Sequence, residues 1–187
     1  MYENVPSHLM NTAMSSFYIP VSKTVWAMDR KTLRTIDAGI VDVRSVMPGE
    51  DGRTVLHLLA EFGYARCARA LVCSGSVAVD ARDGKRMTPL MRASAAGMGV
   101  TTVRMLIALG ADVHAKDRAG RTALHFAAMS GSGAIGELLL HGASPSARDS
   151  FGNVPLHYAR RSEDSLFACE LLLDACRDAA EAARHAM

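Results

Sequence analysis

One four-residue pattern occurs four times in this 187-residue chain at nearly constant spacing. The copies are Thr54-Val-Leu-His57, Thr88-Pro-Leu-Met91, Thr122-Ala-Leu-His125 and Val154-Pro-Leu-His157, whose first residues lie 34, 34 and 32 positions apart. Glycine punctuates the segments between them, at Gly63, Gly75, Gly97, Gly110, Gly131 and Gly142. Units of this length bury a continuous core only by stacking on their neighbours. The spacing therefore predicts a solenoid in which each unit contributes two helices separated by a glycine turn.

The residue types at fixed places in the repeat predict where each first helix begins and ends. Threonine supplies a side-chain oxygen to the free N–H groups of a first helical turn, and Pro89 and Pro155 stand where a missing N–H costs nothing. Glycine permits the left-handed conformation that ends a helix. Hydrophobic residues make up 49% of the chain and aromatic residues only 5%, which favours closely stacked helices and an all-α fold.

The repeats resemble those of the ankyrin family, and the third matches best. Its residues are Asp117-Arg-Ala-Gly120-Arg-Thr122-Ala-Leu-His125-Phe-Ala127-Ala128-Met-Ser-Gly131. The resemblance implies an ankyrin-repeat solenoid of four helix pairs over about residues 49–187, with a degenerate pair before it. We expect a flexible tail at residues 1–20 and an ankyrin-repeat domain at 21–187. Its divisions are a degenerate repeat at 21–48 and full repeats at 49–82, 83–116, 117–148 and 149–187.

Several residues depart from the family pattern. Arg86 stands where a hairpin glycine is usual, and Met91 replaces histidine. In the fourth repeat, no closing glycine follows Leu173, so this repeat resembles a C-terminal cap. From Leu166 onward we expect one helix of about 20 residues that is buried at its start and solvated along its outer side. The alternative is an uncovered apolar stripe through which two molecules associate end to end.

Charge and cysteine content exclude several classes of function. The chain has 21 lysine and arginine residues against 19 aspartate and glutamate residues. This excess of positive charge is too small for a chain whose main partner is a nucleic acid or an anionic membrane. The cysteines form no CxxC pair and are interpreted as reduced thiols of a cytoplasmic or nuclear protein. We expect neither a signal peptide nor a membrane-spanning segment.

Two patterns suggest chemistry but are better explained by the repeat. Residues 131–136 satisfy GxGxxG, yet a helix rather than a strand is predicted before them, which argues against a nucleotide-dependent enzyme. His57, His125 and His157 recur at one repeat position, roughly 10 Å apart in neighbouring helices and too far apart to share a metal ion. We interpret them as framework residues, and expect no catalytic residues, no metal site and no cofactor.

The resemblance implies that variable positions on a concave face contact a protein partner. Transferred onto this sequence, they are Arg53, Glu61, Phe62, Lys85, Met87, Arg118, Arg121, Met129, Phe151, Asn153 and Arg161. Basic residues dominate this set, and large apolar residues accompany them, a composition enriched at interface centres. We expect a monomeric, non-catalytic interaction module, an adaptor or inhibitor whose protein partner is acidic with apolar anchors. The alternatives are a structural subunit of a larger assembly and ordinary solvated turns without a partner.

Overall fold

The computed structural model describes residues 52–75, 77–97, 100–159 and 165–185. Within them, every regular element is a helix and no strand occurs, so the predicted all-α class is confirmed. The helices are α1 Val55–Glu61, α2 Ala65–Cys73, α3 Pro89–Ala96, α4 Val100–Ala108, α5 Ala123–Ser130, α6 Ala134–Leu140, α7 Pro155–Ala159 and α8 Ser165–His185. The predicted tail and degenerate first pair lie outside the described residues.

The helices form two rows, as stacked repeats require. In the first row α1, α3, α5 and α7 pack successively against one another, and in the second α2, α4, α6 and α8 do the same. Each first-row helix also packs against its own second-row partner. A helix with neighbours on both sides of its row and behind it must be apolar almost all round. The first row therefore holds the largest share of the apolar core, although the second row and the loops also contribute.

Helix α5 shows why small residues are needed in the first row. All six residues from Ala123 to Ala128 are buried, since α3 and α7 cover opposite sides of the helix. Alanine at 123, 127 and 128 lets the neighbouring backbones approach, while Leu124 is fully buried between them. Similar runs of buried residues recur in α1 and α3, and the buried side chains of successive repeats join into one continuous core.

The caps of the first-row helices agree with the sequence pattern. Thr54, Thr88 and Thr122 precede their helices in an extended conformation, and the Met91 N–H donates to Thr88 Oγ1 at 3.3 Å. Gly97 and Gly131 end α3 and α5 with left-handed φ values of 67° and 64°, a conformation that costs glycine little.

The hairpin tips between repeats also require left-handed residues. Gly120 has φ of +76°, and a Cβ there would lie only 3.1 Å from the backbone nitrogen of Ser150 in the next hairpin. Arg86 stands at the matching place in repeat two and keeps the same conformation, with φ of +60°. For an L-residue this costs roughly 1–2 kcal/mol. Arginine in place of glycine at position 86 therefore changes the side chain but keeps the left-handed backbone conformation of the turn.

Helix α8 confirms the expected length of the last helix but not its expected orientation. It spans 21 residues, yet Leu166 and Phe167 in its first turn are 82% and 65% exposed. Ala168 and Leu172, four positions apart on one face, are the buried residues. The expectation of a buried start was wrong because α6 and α7 cover only that one face.

The stacked core makes a stability prediction. Replacing Leu124 by Ala should lower the free energy of unfolding by about 2–5 kcal/mol, because a fully buried side chain leaves a cavity between two repeats. The matched control is Leu140→Ala, since Leu140 is 79% exposed and should change stability by less than about 0.5 kcal/mol. Urea unfolding of both variants measures the difference. Equal losses would contradict the assignment of Leu124 to the core.

Candidate partner-binding site

A buried aspartate begins each described hairpin tip between repeats. Asp83, Asp117 and Asp149 are 5%, 7% and 7% exposed. One carboxylate oxygen of each accepts two backbone N–H groups, two and four residues further on, at 2.8–2.9 Å; the donors are Lys85 and Met87, Ala119 and Arg121, and Phe151 and Asn153. The aspartate thus closes the tip around its own side chain.

The second oxygen of each carboxylate receives a side-chain donor. Arg92 donates to Asp83, Arg121 donates to Asp117 from Nε and Nη2 at 3.0 and 2.7 Å, and the Tyr158 hydroxyl donates to Asp149 at 2.6 Å. Burial alone would raise the pKa of Asp83 and Asp149, but these side-chain bonds and the backbone N–H bonds hold both pKa values below the ordinary one. Asp83 and Asp149 therefore stay ionised, and all three carboxylates are bonded to groups of the protein itself.

Between the tips of repeats two, three and four lies a shallow groove of 350 Å³. We call it the hairpin groove; its lining residues are Lys85, Asp117, Arg118, Ala119, Arg121, Ser150 and Phe151. Backbone bonds join its walls, because the Arg118 N–H donates to the Lys85 carbonyl and the Ser150 N–H to the Ala119 carbonyl. Lys85 and Arg118 are exposed and Phe151 is 77% exposed. The groove therefore offers solvated positive charge beside an uncovered aromatic ring.

The structure brings together only part of the predicted contact set. Lys85, Arg118, Arg121 and Phe151 line the hairpin groove, and Asn153 follows in the same hairpin as Phe151. Met87 does not belong to this surface: it is 5% exposed and packs in the core, because the stacked repeats enclose the side chain that precedes Thr88. Phe62 and Met129 are exposed beside the ends of α1 and α5, away from the groove lining, and Arg161 lies outside the described residues.

Two predicted basic residues are already paired with carboxylates. Arg53 Nη1 lies 3.2 Å from Glu61 Oε2, and Arg121 is held by Asp117 while its guanidinium carbon lies 4.7 Å from the centre of the Phe126 ring. Arg121 is therefore a fixed wall of the groove whose charge is largely compensated. Lys85 and Arg118 are the exposed basic residues of the groove lining.

The sequence reasoning missed a second group of exposed cations. Arg82, Lys116 and Arg148 each stand immediately before a hairpin aspartate, and all three are exposed. Arg82 Nη1 donates to the Lys116 carbonyl at 2.7 Å, and Arg148 Nη1 donates to the Gly152 carbonyl at 3.0 Å. The sequence carries a basic residue before each of these three aspartates, whereas Glu50 precedes Asp51 in repeat one.

The repeated histidines join one repeat to the next. His57 Nδ1 accepts the Thr54 N–H at 3.1 Å, and Nε2 lies 3.0 Å from the Met87 carbonyl of the following repeat. His125 makes the same pair of contacts with Thr122 and Asn153. Because Nδ1 accepts a backbone N–H, the proton lies on Nε2 and the ring is neutral. The predicted framework role is confirmed for His57 and His125, whereas His157 is exposed and accepts the Val154 N–H of its own repeat.

Repeat two lacks this histidine, and different side chains connect it to repeat three. Met91 occupies the site, and its sulfur accepts the Thr88 N–H at 3.4 Å. A thioether has no proton to donate to the next repeat. Instead the Ser130 hydroxyl donates to the Ser94 carbonyl at 2.9 Å, and Arg104 pairs with Glu137. Side chains of the second row and of the helix ends thus replace the missing histidine bond.

The described residues show no constellation for other chemistry. Across these parts of the chain, no group of three histidine, cysteine, aspartate or glutamate side chains could hold a metal ion. The GxGxxG segment lies between α5 and α6, with Gly131 ending one helix and Gly133 preceding the next, so no strand leads into it. The helices described include none that is both long and apolar enough to cross a bilayer.

Comparison with known proteins identifies the repeat type. A family model described as ankyrin repeats (3 copies) matches residues 26–117 and 95–182. Over 84 residues the chain is 42% identical to NF-kappa-B inhibitor delta of Mus musculus, covering 44% of this chain and 25% of that protein. Over 78 residues it is 38% identical to transient receptor potential cation channel subfamily A member 1 of Drosophila melanogaster, covering 42% of this chain and 6% of the channel. The chain spans a quarter or less of either relative.

The buried histidines make folding stability depend on pH. Burial lowers the pKa of His57 and His125 below the ordinary 6.5, so the unfolded chain binds protons at these rings more readily than the folded one. Their contribution is present above pH 6.5 and is lost as the pH falls. Replacing both by Met, as in repeat two, should flatten the fall in unfolding free energy between about pH 7 and pH 5. Urea unfolding across that range measures the slope, and an unchanged slope would contradict the assignment.

Proposed function

Because the chain belongs to the ankyrin-repeat family, we propose that it is a non-catalytic interaction module that binds a polypeptide partner across the hairpin groove. The observation that carries the proposal is the joint lining of this groove by Lys85, Arg118 and Phe151, which belong to three successive repeats. A partner that spans the groove contacts all three repeats at once. This surface forms only when the repeats are stacked, and binding a partner across it requires no catalytic side chain.

The chemistry of the groove favours an acidic partner with an apolar anchor. Lys85 and Arg118 supply exposed positive charge, whereas the carboxylate in the groove lining, Asp117, is buried and bonded to Arg121. Phe151 supplies an exposed ring that a partner's apolar side chain can cover. Arginine and aromatic residues are enriched at the centres of interfaces, where they contribute most of the binding energy.

The rigidity of the hairpin tips also supports a binding role. Each of the three tips is closed by its aspartate, and a backbone hydrogen bond joins the first to the second and the second to the third. A surface that is ordered before binding loses little conformational entropy when the partner arrives. Acting in this way, the module serves as an adaptor or as an inhibitor that occupies its partner's surface. One matched relative is itself named as an inhibitor. We place the function in the cytoplasm or nucleus, a location supported by the four free cysteines.

A charge-reversal experiment tests the proposal. The double variant Lys85→Glu, Arg118→Glu should bind a partner captured from cell extract at least about tenfold more weakly, because each substitution places like charge against an acidic partner. The matched control is Arg66→Glu, Arg69→Glu, which reverses two exposed cations on α2 and should leave binding unchanged. Circular dichroism checks that both variants are folded. Equal binding by both variants would show that the groove is not the binding site.

A structural subunit of a larger assembly is the second candidate function, and the exposed start of α8 favours it. Leu166 and Phe167 are largely solvated, and Leu173 is 49% exposed. On the binding-module proposal, light scattering of the intact chain gives a monomer at all concentrations, and Phe167→Ser with Leu173→Ser changes nothing. An oligomer that this double variant dissociates without unfolding would favour the subunit instead.

A further inference from the structure

The exposed charge on the three described hairpin tips has one sign, whereas the turns leading into the first two carry the half-buried Asp80 and the exposed Asp112. Across residues 81–87, 113–121 and 145–154, the aspartates are all buried and no other acidic residue occurs. The exposed lysine and arginine residues of these segments are Arg82, Lys85, Arg86, Lys116, Arg118 and Arg148. A chain whose formal net charge is only +2 thus has one strongly cationic side. An anionic ligand approaching it meets several positive charges and no solvated carboxylate on these segments.

Three of these cations form a regular row, which we call the cation column: Arg82, Lys116 and Arg148. Each precedes a buried aspartate, so the column repeats at the spacing of the solenoid. The guanidinium of Arg82 reaches across to the Lys116 carbonyl, and its second acceptor is the Arg86 carbonyl at 3.2 Å. Arg148 is fixed by the Gly152 carbonyl. These acceptors are neutral carbonyls that orient the side chains. The carboxylate close to Arg82 is that of Asp80, which is half-buried and accepts the Asp112 N–H.

We propose that the cation column and the adjoining hairpin groove bind an extended acidic peptide whose carboxylates recur at every third residue. This inference rests on the proposed function and specifies the partner's chemistry. Neighbouring helices pack roughly 10 Å apart, and the hairpins follow the same repeat. An extended chain rises about 3.3 Å per residue, so three residues of partner cover one repeat. Carboxylates at positions i, i+3 and i+6 then meet Arg82, Lys116 and Arg148 in turn.

The spacing of the column favours a peptide over a nucleic acid. Duplex DNA carries a phosphate about every 3.4 Å along each strand, roughly three times as dense as one column cation per repeat. A peptide can place its acidic groups at the spacing of the cations and fill the intervening positions with neutral residues. It can also place an apolar side chain on Phe151, which lies in the same hairpin as Arg148.

Synthetic peptides of identical composition test the spacing. One fluorescent peptide carries glutamates at positions i, i+3 and i+6 in a serine, glycine and alanine background, and the other carries the three glutamates consecutively. We expect the spaced peptide to bind the full chain at least tenfold more tightly in fluorescence anisotropy. That preference should disappear in the variant Arg82→Gln, Lys116→Gln, Arg148→Gln. It should persist in Arg66→Gln, Arg69→Gln, Arg184→Gln, which removes three exposed cations from helices.

The outcomes separate this inference from the function on which it rests. Equal binding of the two peptides, or a preference that survives loss of the column, overturns the spacing proposal. Tighter binding of a single-stranded oligonucleotide than of the spaced peptide overturns the choice of a peptide partner. If the Lys85→Glu, Arg118→Glu variant still loses its captured protein while the peptides are not discriminated, the interaction function stands and only the spacing proposal fails.

Discussion

The double use of each hairpin aspartate is the interaction on which the rest of the structure depends. Asp83, Asp117 and Asp149 accept backbone N–H groups with one oxygen and a side-chain donor with the other. The first use fixes the shape of the tip, and the second ties it to a neighbouring side chain. Both uses draw the negative charge of the hairpin inward. The surface that remains is cationic because its counter-charges are buried.

Hydrogen bonds between neighbouring repeats hold successive hairpin tips in the same arrangement along the molecule. The His57 and His125 rings bond to the following repeat, and backbone bonds join successive hairpin tips. Where Met91 interrupts the histidine series, the Ser130 hydroxyl and the Arg104–Glu137 pair still connect repeats two and three. The groove therefore belongs to the stack as a whole, since its walls come from three repeats and none of them forms it alone.

The sequence predicts the features that depend on local rules. It does not predict features that depend on which elements pack against one another. The helix pairs, the threonine and glycine caps and the histidine framework follow from spacing and backbone chemistry. The burial of Met87 and the pairing of Arg121 depend on which side chains the next element brings close. Phe167 was expected to be buried because an apolar run does not show which helix face is covered. The cation column was in the sequence, but its significance appears only once the adjacent aspartates are known to be buried.

Mapping the contact surface by NMR tests the central claim most directly. The claim is that burial of the hairpin aspartates leaves a cationic surface that binds an acidic polypeptide. When an acidic peptide is titrated into the protein, the account predicts amide shift changes in residues 82–86, 116–121 and 148–153 that weaken as salt is added. The amide chemical shifts of α2, α4 and α6 should not change. Shifts concentrated on those second-row helices, with the hairpins unchanged, would contradict the account.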